Sequence, residues 1–143
     1  MKHIKVFIFL VAPLLMCACP EREENFHPYI TIINMSIKGI VWQPRMIKIG
    51  EKNEYFDCNY VIGGRIDANS QFKFEFDDRG NNWDDKLNSQ YLQITVMNLE
   101  TFDRYKGEAC DTIRKYVPVL QTYRLTLADL QRMNWTVVYP PEK

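Results

Sequence analysis

The sequence predicts a mostly β protein: an antiparallel β-sandwich of seven or eight short strands with one short helix near the C-terminus. Three observations predict it. Residues 71–76 (QFKFEF) alternate strictly, with Phe72, Phe74 and Phe76 on one face and Lys73 and Glu75 on the other, the period of a half-buried strand. Short β-branched and aromatic runs recur along the chain with turn formers between them. A single capped helical stretch stands before the last apolar run.

The elements follow in order. Residues 29–34 (YITIIN) read as a strand ending at the turn formers Asn34 and Ser36. Residues 39–43 (GIVWQ) form a second strand stopped by Pro44, because proline cannot donate to a ladder. Residues 46–49 alternate up to Gly50, and residues 59–62 lead into the turn pair Gly63-Gly64. After the QFKFEF strand, residues 77–89 read as a long polar loop. Residues 91–97 (YLQITVM) are a strand with Leu92, Ile94 and Val96 facing one way. Residues 100–115 are mixed, with short helical turns up to the Val117-Pro118 break, and residues 119–125 are a strand. Thr126 and Asp129 then fit a capping box, in which each side chain satisfies the other's backbone N–H. Leu127, Leu130 and Met133 share one face of that short helix. Residues 135–139 (WTVVY) form the last strand, carry Trp135 inward, and are closed by Pro140-Pro141. The spacing suits an Ig-like or similar sandwich, with a small closed barrel as the alternative.

The N-terminus has a different character. Residues 1–5 are short and basic, and residues 6–16 (VFIFLVAPLLM) are an unbroken apolar run. A bilayer-spanning helix needs about 20 residues, so the pattern reads as a secretory signal. Its end, Met16-Cys17-Ala18-Cys19, resembles the lipobox of bacterial lipoproteins. Cys19 has the small Ala18 before the cleaved bond and is the expected lipidation site, with Cys17 as its rival and plain secretion as the runner-up. The division expected is a signal peptide over residues 1–18, a flexible acidic tether over 19–28 and a β-sandwich domain over 29–143. The acidic run behind Cys19 resembles the surface-export signal of Bacteroidota lipoproteins. That resemblance implies a lipid-anchored, surface-exposed place at the outer membrane.

The 143-residue chain carries 18 basic and 18 acidic side chains. Removing Lys2 and Lys5 with the signal leaves a net charge of −2. No basic surplus exists to neutralise phosphates, so nucleic acid is a poor partner. Two cysteines remain besides Cys19 and Cys17. Cys58 and Cys110 either pair, closing a loop of about 50 residues, or stay as separate buried thiols. Histidine in the mature chain is limited to His27, next to the tether. A Ser-His-Asp or Cys-His arrangement would have to use it, and no P-loop, zinc-protease or hydrolase motif occurs. No cofactor is expected.

One loop concentrates oxygen ligands around a glycine: Asp77, Asp78, Asn81, Asn82, Asp84 and Asp85 surround Gly80 and Trp83. Calcium favours such ligands, although the spacing is not that of an EF-hand and Arg79 places a positive charge inside the cluster. A polar hairpin loop is the simpler reading, and no metal is assigned. Trp83 lies in this polar loop without apolar sequence neighbours, so it is the aromatic expected to meet a ligand such as a sugar ring.

Residues 29–34 and 125–141 (LTLADLQRMNWTVVYPP) resemble a family of small lipoproteins of gut Bacteroidota with no assigned function. The resemblance implies an outer-membrane setting and supplies no catalytic residues. The expected function is therefore a lipid-anchored, non-enzymatic binding or interaction module, with the membrane and a protein or glycan ligand as partners. A carbohydrate-binding accessory protein is the first alternative, and a small envelope hydrolase the second.

Overall fold

The computed structural model describes residues 29–51, 56, 58, 63–75 and 83–141. Among them are seven strands and four helices: β1 (Tyr29–Asn34), β2 (Ile40–Lys48), β3 (Gly64–Ile66), β4 (Ser70–Glu75), α1 (Trp83–Leu87), β5 (Gln90–Asn98), α2 (Leu99–Tyr105), α3 (Cys110–Tyr116), β6 (Val119–Leu125), α4 (Leu127–Arg132) and β7 (Thr136–Tyr139). The strands form a three-stranded sheet in the order β4-β1-β7 and a four-stranded sheet in the order β3-β2-β5-β6.

The mostly β expectation holds, and three of its details are corrected. The pairing is not wholly antiparallel: β1 and β7 run parallel, with Thr31 opposite Thr136. Helix is not confined to the C-terminal region. α1 interrupts the expected polar loop, and α2 and α3 occupy the mixed stretch at 100–115. Pro44 does not end its strand, since β2 runs through it for nine residues. The carbonyl of Trp42 points to the β3 side, where it accepts from Gly63 N–H at 2.9 Å. Pro44, two residues on, turns its nitrogen to the same side. Among the described residues no strand pairs with β2 there, which is where a proline is tolerated. The strand expected at 59–62 lies outside the described residues.

Gly63 and Gly64 also have another role than a turn. A Cβ on Gly63 would lie 2.7 Å from the Trp42 ring and from Pro44 Cδ, and one on Gly64 would lie 3.1 Å from Trp42 Nε1. The indole occupies the space that side chains would need, and Gly64 begins β3.

One core joins both sheets. Ile30, Ile32 and Val137 come from the three-stranded sheet, and Ile40, Trp42, Leu92, Ile94, Val96 and Leu125 from the other. Phe72 and Phe74, the inward face of the alternating strand, pack on this core. Trp42 meets Phe74 edge-on at 5.0 Å between ring centroids. At one end Asn34, fully buried, fastens the connections: Nδ2 donates to the carbonyls of Lys38 (2.8 Å) and Asp67 (2.9 Å), and Oδ1 accepts from Ser36 N–H at 3.0 Å.

The C-terminal block forms its expected capping box. Thr126 Oγ1 accepts from Asp129 N–H at 3.2 Å, and Asp129 Oδ2 accepts from Thr126 N–H at 3.0 Å. Trp135 is inward and buried but precedes the strand. Asn134 and Trp135 both take positive φ, 49° and 55°, a conformation that costs a bulky residue. One local and one tertiary bond hold it: Trp135 N–H donates to Leu130 O at 2.8 Å, and its carbonyl accepts from Thr31 N–H at 2.9 Å.

The side-chain and backbone hydrogen bonds from Thr126 hold the Asp129 carboxyl below its ordinary 3.8, with Arg132 adding a smaller push the same way. A folded-state pKa below the unfolded one gives stability that is present above the unfolded pKa and lost as pH falls through the folded one. Thr126→Ala is therefore expected to destabilise the domain by about 1 kcal/mol at neutral pH. In urea melts the gap to wild type should narrow as pH drops below 3.8. A gap independent of pH would contradict the coupling.

Candidate functional site

The second cluster of the fold lies on the opposite face of the four-stranded sheet. Val41 of β2 and Met97 of β5 project there and are covered by Phe102 of α2, Ile113 of α3, Val117 and Phe56. Tyr105 and Tyr116 stack at 5.0 Å and join the two helices. Cys58 and Cys110 are disulfide-bonded at the edge of this cap, 52 residues apart in sequence. Arg114 adds a second tie, donating through Nε and a terminal nitrogen to Phe56 O, both at 3.2 Å. The helical cap is thus fixed to Cys58 by one covalent bond and to Phe56 by two charge-assisted hydrogen bonds.

Next to the cap the same sheet face turns polar. Strand register places Gln43, Thr95 and Thr122 in one row and Arg45, Gln93 and Arg124 in the next. These positions alternate with the inward residues Leu92, Ile94 and Val96, so both rows face away from the main core. An outer row of a two-sheet protein is ordinarily wet. Here Gln43 is 1 % exposed, Gln93 1 % and Thr95 3 %, while Arg45 is half-buried and Arg124 exposed. Three of the four buried polar residues described therefore share this face. Neither Oε1 nor Nε2 of Gln93 has a hydrogen-bond partner.

The chain matches no family model, no curated protein and no solved structure. The arrangement of its own residues is what bears on its role.

The residues singled out in the sequence are distributed as follows. Cys19, Asp77, Asp78, Asn81 and Asn82 lie outside the described residues. Trp83 is corrected. It does not sit on a solvated loop but begins α1 with no exposed surface, its ring 5.6 Å from Phe74. A side chain enclosed in this way offers no ring face to a sugar. Asp84 and Asp85 occupy the first turn of α1, where carboxylates favour the helix dipole. Among the described residues no three acidic, histidine or cysteine side chains gather as a metal site.

Two surface cavities lie among the described residues. One, of about 340 Å³, opens between the sheet edges and is lined by Tyr123, Met133, Thr136, Val138 and Pro141. The Tyr123 hydroxyl donates to Val138 O at 2.6 Å, linking β6 to β7 across it. Burial, with Tyr139 nearby, pushes that phenol up to about 12, so it remains a neutral donor. The other cavity is lined by Lys38, Gly39, Asn98, Leu99, Glu100 and Asp103. Asp103 there is already engaged by Arg65 and Lys106.

The buried polar rows were missed in the sequence. In YLQITVM, Gln93 and Thr95 alternate with apolar residues, which predicts a solvated face. The signal that could have found them is the two glutamines and two arginines at the outward phase of three strands, Gln43 and Arg45, Gln93, and Arg124.

Proposed function

We propose that this chain is an exported lipoprotein, anchored through Cys19, whose β-rich domain is a non-enzymatic binding module at the outer membrane. The Cys58–Cys110 disulfide is the observation that carries the reading. Such bonds persist in oxidising compartments outside the cytoplasm, and the apolar run and Met16-Cys17-Ala18-Cys19 provide the address. The two sheets serve as faces of a sandwich, since Ile30 and Val137 from one and Trp42 and Ile94 from the other belong to one core. The binding surface is the polar outer face of the four-stranded sheet. The sugar-binding version that relied on Trp83 loses that residue.

Anchoring is tested by fatty-acid labelling. Each buried methylene of an acyl chain contributes about 0.8 kcal/mol, so more than one chain holds the protein on the membrane. Cys19→Ala should abolish the label and release the protein from the membrane fraction. Labelling that persists would move the site to Cys17.

A further inference from the structure

We propose that the outer face of the four-stranded sheet binds a small oxyanion, a carboxylate, sulfate or phosphate group, between Arg45 and Arg124 and against Gln93. The proposal rests on the binding-module reading and gives that module a ligand class. It does not depend on the lipid anchor.

Register sets the geometry. Gln93 lies directly opposite Arg45 on one side and Arg124 on the other. Directly paired residues place their Cβ atoms about 5 Å apart on the same face. Two arginine positions therefore flank the Gln93 position in a single row. Both arginines are also engaged by neighbouring groups, which limits their freedom. Each guanidinium has five N–H donors, so a contact with a neighbour does not exhaust it. Arg124 is exposed on the edge strand β6.

Gln93 is the observation that points to a ligand. Its amide is buried and both polar atoms lack partners. Burying such a group unpaired is destabilising, and leucine would fill a similar volume without that cost. Asn34 in the same protein has its amide fully bonded, so the fold can satisfy a buried amide where the role is structural. An oxyanion would accept from Gln93 Nε2 and from both arginines, and a hydroxyl beside it, as in an acidic sugar, would donate to Oε1. Thr95 and Thr122 in the adjoining row add hydroxyls of either sense. The charge of the rest of the domain is no source of attraction, because the mature chain is net acidic.

The test is calorimetric titration of the full mature chain in neutral detergent with sodium glucuronate, sulfate and inorganic phosphate, with glucose and sodium chloride as controls. Glucuronate alone binding would identify a carboxylate source, and phosphate alone a phosphate source. Either is expected to give saturable binding tighter than about 1 mM. Gln93→Leu should weaken it about tenfold or more while raising the melting temperature. Arg124→Gln should weaken it comparably with the melting temperature unchanged. No saturable binding by any of the three anions, with Gln93→Leu merely more stable, would mean an internal water only and would overturn the proposal. Equal binding by wild type and both variants would overturn it as well. Cys19 labelling is read separately, so loss of the anchor and loss of the ligand are distinguishable.

Discussion

Replacing Trp42 with alanine is expected to cost about 3–5 kcal/mol, a large share of the 5–15 kcal/mol that holds a typical domain together. The indole is fully buried on β2, the strand joining β3 to β5. It touches Phe72 and Phe74 from the other sheet, so its loss opens a cavity at the junction of the two layers. Gly63 and Gly64 have no side chains to collapse into that space. Trp42→Phe should cost much less, because it keeps an aromatic ring against Phe74 and removes an indole N–H that has no partner. Urea melts of the two variants check the argument. Equal costs would show that the ring contacts are not what matters.

Reduction of the Cys58–Cys110 bond, or a Cys58→Ala/Cys110→Ala variant, is the second large effect. The bond closes a loop with a sequence separation of 52 residues, for which the chain-entropy model gives about 4 kcal/mol. The loss should be uneven. The main core between the sheets contains neither cysteine, whereas the helical cap depends on this bond and on the Arg114–Phe56 hydrogen bonds. Hydrogen exchange after reduction should therefore accelerate in α2 and α3 before it does in β5. Uniform acceleration would show instead that cap and sheets unfold as one unit.

Local signals were legible in the sequence where local physics determines the outcome. The alternation of Phe72 and Phe74 fixed which face of β4 turns inward, and the Thr126–Asp129 pair fixed the start of α4. Trp83 was not legible in the same way. Its neighbours are Asp and Asn, and only the first turn of α1 carries its ring inward. Pro44 reads as a stop because sequence does not say to which side of a strand a proline turns its nitrogen. The polar outer rows read as solvated because alternation identifies two faces without saying what covers each. The parallel match of β1 with β7 is set by a contact between opposite ends of the domain, beyond the reach of any local pattern.

That match has a temporal consequence. β1 is the middle strand of its sheet, so it is complete only when Thr136–Tyr139 has arrived beside it. Until then one edge of β1 is open, Thr31 N–H lacks the carbonyl of Trp135, and the core position of Val137 is empty. Contacts between such distant segments are slow to form. A chain emerging from its N-terminus therefore cannot close this domain early. It stays open until nearly all of it has been delivered, which is the condition in which a polypeptide can still be threaded.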